Sequence, residues 1–326
     1  MMKRTFALSA LLALCGLLPA AAQEAQEEMK SKAAEAEMMA KEAEGMAAEA
    51  EAMAEAAEGM AAEAEMKAEK MMGADGASLD EVLASHYEAL GGTDAWSSID
   101  AVRFEGTMSM GPGVEAPFTM TMQRPDKIRL EFTFQGMTGI QASDGAVAWM
   151  VMPFMGKKDP EEMPADMAKQ LREQADIEGP LFDWAGKGHT LELLGAEEVE
   201  GTEVYKLKLT RDTGDVRYHY LDSEYYVTVK QEGKTKVQGQ EMEIETEIGD
   251  YKELCMATSA LVDDDTPCEG DVLVLPYSIE SKPKGAPAGQ VITITGVRIN
   301  PDDIEADYFA MPAKSEGEGD EAAESG

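Results

Sequence analysis

The chain has 326 residues, with 64 acidic against 28 basic side chains, a formal net charge of −36 and 6% aromatics. A field of that sign excludes nucleic-acid binding, which needs a basic footprint to displace phosphate counterions, and it disfavours electrostatic docking on anionic lipid surfaces. The 44% hydrophobic content is enough to bury a sizeable core, so the chain as a whole is not disordered.

Residues 1–22 read as a secretory signal. Lys3 and Arg4 form the charged start, Phe6 to Leu18 an apolar stretch too short to span a bilayer, and Ala20-Ala21-Ala22 the small residues before cleavage at Gln23. Cys15 offers a weaker alternative, lipidation, because Leu14 stands where a small residue is wanted. Export places the mature protein in the periplasm of a Gram-negative-type bacterium. In that oxidising compartment the two remaining cysteines, Cys255 and Cys268, are expected to pair. A disulfide closing a loop of about 14 residues contributes roughly 3 kcal/mol in the chain-entropy model.

Residues 23–76 are dominated by Ala, Glu, Met and Lys, which are strong helix formers. The stretch Ala43 to Glu51 recurs from Ala57 to Glu65, and Met39, Met46, Met53 and Met60 keep a heptad face. The stripe fits a weak coiled coil, for which a second copy of the chain or another envelope component would supply the partner through 24–72. An acidic low-complexity spacer is the competing reading. Residues 313–326 read as an acidic disordered tail, leaving 77–312 as the folded domain.

Ser78 and Glu81 form a capping box, and Leu79, Val82, Leu83, Tyr87 and Leu90 follow at helical spacing up to Gly91-Gly92. From Ala101 the period changes to two. Strands are predicted over 101–110, 116–124, 127–135, 138–143 and 146–152, then over 190–194, 203–210, 215–221, 225–231, 237–250, 271–280 and 289–299. Short connections argue for antiparallel pairing. Between the two series, Met163, Met167 and Leu171 step by four, predicting an amphipathic helix within 160–178. The fold class is therefore α+β, a strongly curved antiparallel sheet with helices on its concave side.

Met108 and Met110 share one strand face, as do Phe118, Met120 and Met122, and again Ile128, Leu130, Phe132 and Phe134. Thioethers adapt to irregular apolar guests, so these residues point to a plastic hydrophobic cavity. The same pattern also describes a methionine-biased core that is filled solid. No nucleophile elbow, zinc-protease helix or phosphate-binding glycine loop is present. The three histidines, His86, His189 and His219, are scattered, and only His189 beside Lys187 forms a pairing. No enzymatic activity, metal or cofactor is expected.

Arg124-Pro125-Asp126, then Ser143-Asp144-Gly145, Trp149 and Pro153, and the closing Asn300, Ile304, Phe309 and Pro312 resemble, in order, the motif series of periplasmic lipoprotein carriers of the LolA type and the wider outer-membrane lipoprotein-sorting group. The resemblance covers about 78–312. It implies an incomplete barrel of about eleven antiparallel strands, lidded by helices, with acyl chains in the hollow. It further implies that Arg124 hydrogen-bonds lid-loop backbone and governs opening, that Trp149 lines the hollow near the lid, and that Met163 and Met167 lie on the lid. The carriers lack the Ala/Glu/Met prefix and the Cys255–Cys268 insertion. The expected function is an exported binding protein for acyl chains of lipoprotein or lipid, meeting envelope lipoprotein-transport components. The alternatives are an oligomerising structural protein or a lipoprotein-stress sensor with a filled core.

Overall fold

The computed structural model describes residues 76–111, 113–237, 240–263 and 267–313, together with scattered positions between 31 and 53. The chain divides into two units, 1–67 and 68–326. In the first, each described position from Ser31 to Met53 is helical and exposed, as its composition favours. The signal segment with Cys15, most of the heptad face and the tail from Lys314 lie outside the described residues.

In the second unit, α1 (Leu79–Ala89) starts at the expected capping box, with Glu81 N–H donating to the Ser78 hydroxyl and Ser78 N–H donating to the Glu81 carboxylate at 2.9 Å. A short helix, α2 (Thr93–Ser97), leads into the sheet. The first meander comprises β1 (Ala101–Gly111), β2 (Val114–Gln123), β3 (Lys127–Phe134), β4 (Met137–Ser143), β5 (Ala148–Met152) and β6 (Lys157–Glu162). Helix α3 (Ala165–Glu173) follows. The second meander comprises β7 (Thr190–Val199), β8 (Thr202–Thr210), β9 (Val216–Asp222), β10 (Thr228–Val237) and β11 (Gln240–Cys255). A two-residue strand, β12 (Ala260–Leu261), pairs with β11, and β13 (Val272–Pro283) and β14 (Gln290–Ile299) complete the chain order.

Strand β13 lies beside β11 and β14 beside β1, so the two meanders merge into one antiparallel sheet of fourteen strands whose free edges are β6 and β7. The sheet is not closed. It has more strands than the eleven or so the resemblance implies, and two more than the twelve the alternation predicts, because β6 and β12 escaped the pattern. The β6 sequence Lys-Lys-Asp-Pro-Glu-Glu has no apolar alternation, and Pro160 reads as a breaker. An edge strand tolerates both features, since its outer backbone groups face water. Strand β12 is enclosed in the loop closed by the Cys255–Cys268 disulfide, and Ile299 N–H donates to Ser259 Oγ of that loop at 2.9 Å.

Two apolar clusters hold the unit together. One joins the first meander to β13, β14, α2 and α3 through Trp96, Val102, Phe118, Ile128, Leu171 and Leu273. The other joins α1 to β7–β9 through Leu79, Val82, Leu83, Leu193, Leu207 and Leu221. Replacing both Cys255 and Cys268 by Ser should lower stability by about 3 kcal/mol while leaving the sheet intact. Urea denaturation checks this, and an unchanged midpoint would mean that the closed loop contributes nothing.

Candidate functional site

Directly paired residues of neighbouring antiparallel strands project to the same face. Leu130, Met120, Phe104 and Val297 form one such row, and Phe132, Phe118, Gly106 and Ile294 form the next. A third row runs Ala116, Met108, Ile292, Ile279 and Ile248 across β2, β1, β14, β13 and β11. Trp96, Ala168 and Leu171 from α2 and α3 pack against these side chains, which makes this the inner face. The structure therefore brings the expected Met108, Phe118, Met120, Met122, Leu130 and Phe132 together on one surface. Met110 lies in β1, but its side chain falls outside the described residues.

The rows are not uniformly covered. Met108, Phe118, Met122 and Phe132 are buried, whereas Phe104, Met120, Leu130, Ile248, Ile279 and Ile292 are only half-buried. Gly139 keeps the floor of this surface close to β4, since a Cβ there would come within 2.9 Å of the Phe132 and Phe154 rings, which pack 5.6 Å apart. Phe104, Ile248, Ile279 and Ile292 were not singled out from sequence. The alternation of Val102, Phe104, Gly106 and Met108 could have found Phe104. The three isoleucines join the surface only through long-range strand pairing.

The lid residues divide. Pro164 stands at the N-cap of α3, so Met163 precedes the helix and is buried against the sheet. Within α3 the buried side is Ala168 and Leu171, continued by Ala175, while Met167 points outward at 39% exposure. The stripe therefore does not follow the expected four-residue step through Met167: Met163 lies before the helix, which begins at Ala165, and the buried side runs through Ala168 and Leu171.

Trp149 is on the opposite face from the hollow where the resemblance puts it. It is only 1% exposed, but it shares a row with Ala142, Arg129, Thr121 and Arg103. Its neighbours Ala148 and Met150 take the inner side, and the period of two sends Trp149 outward. There it is covered by residues 300–310. Trp149 Nε1 donates to the Phe309 carbonyl at 2.9 Å, Arg129 donates to the Tyr308 carbonyl at 2.8 Å, and Arg103 donates to Asp303 at 2.6 Å. The Arg129 guanidinium lies 4.9 Å from the Tyr308 ring and 5.6 Å from that of Trp149.

Arg124 forms a junction. Its Nε donates to the Ile99 carbonyl at 2.5 Å and its Nη2 to the Trp96 carbonyl at 2.9 Å, while Nη2 also lies 2.8 Å from Glu178 Oε1. It thus ties the α2–β1 connection to the segment that follows α3. Burial pushes the Glu178 carboxyl up, but the hydrogen bond and charge of Arg124 outweigh it and hold the group below the usual carboxylate range.

The histidines serve separate contacts. His86 is buried and donates from Nδ1 to the Tyr226 carbonyl at 2.6 Å, and burial lowers its pKa against that bond. His189 accepts from Asp212 N–H at 3.3 Å, whereas Lys187 donates to Asp176 at 2.7 Å and to the Gly179 carbonyl at 2.9 Å. Among the described residues no three His, Cys, Asp or Glu side chains are grouped so that they could hold a metal ion.

No family model matches the chain, and no curated protein matches it. Solved structures are similar to it at low identity. A DUF1329 family protein from Desulfovibrio piger is 11% identical, with a TM-score of 0.47 over 71% of this chain and 96% of that one. An outer membrane lipoprotein-sorting protein domain from Vibrio parahaemolyticus is 14% identical, with a TM-score of 0.44 over 70% and 94%. A LolA superfamily protein from Nitrosomonas europaea is 13% identical, with a TM-score of 0.43 over 71% and 96%.

The lowered Glu178 value gives a signed expectation. The native carboxyl titrates below its unfolded value, so the pair stabilises the fold at neutral pH, and that contribution is lost as pH falls through the lowered native value. Glu178→Gln should cost about 1–3 kcal/mol near neutral pH and flatten the acid limb of the stability–pH curve. Chemical denaturation at a series of pH values checks this. A curve parallel to that of the wild type would show that the carboxyl does not titrate with folding.

Proposed function

We propose that the second unit is a non-enzymatic binding protein that holds an acyl chain of a lipid or lipoprotein against its inner face, working in the bacterial envelope after export. One observation carries this reading. Phe104, Met120, Leu130, Ile248, Ile279 and Ile292 form a connected apolar surface on the concave side of an open sheet, and they stay partly accessible although Phe104, Met120, Leu130 and Ile292 pack against the first cluster. Burying a chain of about 16 carbons at about 0.8 kcal/mol per CH₂ supplies on the order of 10 kcal/mol before association costs are subtracted. Methionine thioethers adapt such a surface to a guest of irregular shape.

The mechanism requires no covalent step. The segment 163–189 crosses from edge strand β6 to edge strand β7, and Arg124 fixes its far part through Glu178. Releasing that junction frees the segment to move off the inner face and admit a chain. The ordered likeness of the Arg124-Pro125 and Ser143-Asp144-Gly145 motifs to those of the LolA type supports the same reading. It also supports contact with envelope lipoprotein-transport components.

A second reading is favoured by a different observation. Met108, Met122, Met150, Met152 and Met163 are buried within the first cluster, as expected of a core filled by its own side chains. On that reading the protein is structural or senses lipoprotein stress without holding a chain. Native mass spectrometry of the chain expressed in a periplasm, with lipid extraction, separates the two. Wild-type protein should carry acyl-containing adducts, and Met120→Glu or Leu130→Glu should remove most of them with little change in melting temperature. Bare wild-type protein that also refuses added fatty acid would overturn the acyl-binding reading.

A further inference from the structure

The inner face changes character where the second meander takes over. Beside the isoleucine row, Leu207, His219, Gln231, Thr246 and Ser281 form the next row, and Leu209, Arg217, Gly233 and Ile244 the one after. Register places both rows on the same face as Met108, so the apolar surface continues directly into a polar, basic one. Thr246 and Ser281 hydrogen-bond each other at 3.0 Å. His219, by contrast, is 1% exposed and neither ring nitrogen has a hydrogen-bond partner. The Nε atoms of Arg211 and Arg217 are likewise buried and unpartnered.

Leaving such groups unsatisfied is costly, and more so where they are charged. Two acids, Glu173 and Asp215, act on the arginines, and Glu173 holds them loosely. Glu173, the last residue of α3, lies 3.5 Å from Arg211 Nη1 and 3.6 Å from Arg217 Nη2, well beyond the 2.7–2.9 Å or so of a good charge-assisted bond. The nearby Asp215 carboxylate is taken by Lys169 and by the Thr213 hydroxyl. Gly233 makes room for this arrangement, since a Cβ there would come within 3.1 Å of Arg217 Cγ. A cleft of about 140 Å³ at the end of α3 opens Arg217 to solvent, lined by that arginine, Lys169 and Lys234 and by the four acids Asp166, Glu173, Asp215 and Glu241. Burial, then the neighbouring Arg217, pushes the His219 pKa down to about 3, so this ring offers a neutral donor.

Building on the acyl-binding reading, we propose that the ligand is an anionic amphiphile whose phosphate or carboxylate head seats on Arg211, Arg217 and His219 in place of Glu173. The acyl chain then runs over the isoleucine row towards Met108 and Met120. A head oxygen can approach both guanidinium groups at full hydrogen-bonding distance, which the tethered Glu173 does not achieve. Displacing Glu173 also frees the end of α3, so recognition of the head and release of the covering segment become one event.

The test uses two probes that share an acyl chain and glycerol but differ in the phosphate, myristoyl lysophosphatidate and monomyristoyl glycerol. Binding to the full mature chain is followed by calorimetry. Wild type should prefer the lysophosphatidate at least tenfold. Arg211→Gln with Arg217→Gln should abolish the preference and leave the neutral probe's affinity unchanged. Glu173→Gln, which keeps both arginines and the fold, should raise lysophosphatidate affinity several-fold without altering that of the neutral probe. Equal affinity of wild type for both probes, or no gain from Glu173→Gln, would overturn the anion site while leaving acyl binding in place. Wild type that takes up neither probe would overturn both. Inorganic phosphate at a hundredfold excess should fail to compete, and effective competition would make this a free-anion site and overturn the amphiphile.

Discussion

An open sheet has two edges, and in this protein they belong to strands that are neighbours in the chain. Strand β6 ends one side of the sheet and β7 the other, with β1, β14 and β13 between the meanders they terminate. The chain must therefore cross from edge to edge between residues 162 and 190, and it does so on the concave side. Much of the remaining architecture follows from that crossing. Helix α3 buries Ala168 and Leu171 against β3–β5, the turn behind it buries Ala175 and Ile177, and Arg124 anchors the path through Glu178. The β6 edge itself is protected by lysines, glutamates and Pro160, which discourage pairing with another chain.

The first meander is covered on both faces by chemically different means. Outside, residues 300–310 close over a row in which arginine and tryptophan alternate with the small side chains of Ala142 and Thr121, and the contacts are hydrogen bonds to carbonyls and cation–π stacking. Inside, the contacts are aliphatic, aromatic and thioether. The same strands therefore carry a specified outer surface, where arginine and tryptophan donors reach carbonyl and carboxylate acceptors, and an adaptable inner one, where fit depends on volume alone. A tight outer surface allows the inner one to stay partly unfilled without loss of strand register.

The alternation of apolar and polar residues made twelve of the strands legible, and the ordered motifs implied an open barrel with helices inside it. What escaped had identifiable causes. Strand β6 is held by backbone pairing at an edge and leaves no periodic mark. Met167 fell outside the buried stripe because that stripe runs through Ala168, Leu171 and Ala175, and one residue turns the face of a helix by about 100°. Trp149 was legible in principle, since the parity of Ala148 and Met150 assigns it to the outer face, against the hollow that the resemblance implies. The basic rows were not legible at all. Arg217 and His219 look like ordinary strand residues until the register of β8, β9 and β10 shows which side they take and what faces them.

The methionine content of the inner surface has a chemical consequence. A thioether can be oxidised to a sulfoxide, which is polar and chiral and needs a hydrogen-bond partner where the sulfur did not. Met108, Met122 and Met163 are shielded by burial, but Met120 is half-open to whatever enters the concave side. Where conditions are oxidising enough to hold Cys255 and Cys268 in a disulfide, Met120 is more open to oxidants than the buried methionines beside it. The affinity of such a surface for hydrocarbon would then carry a record of the oxidative history of its surroundings.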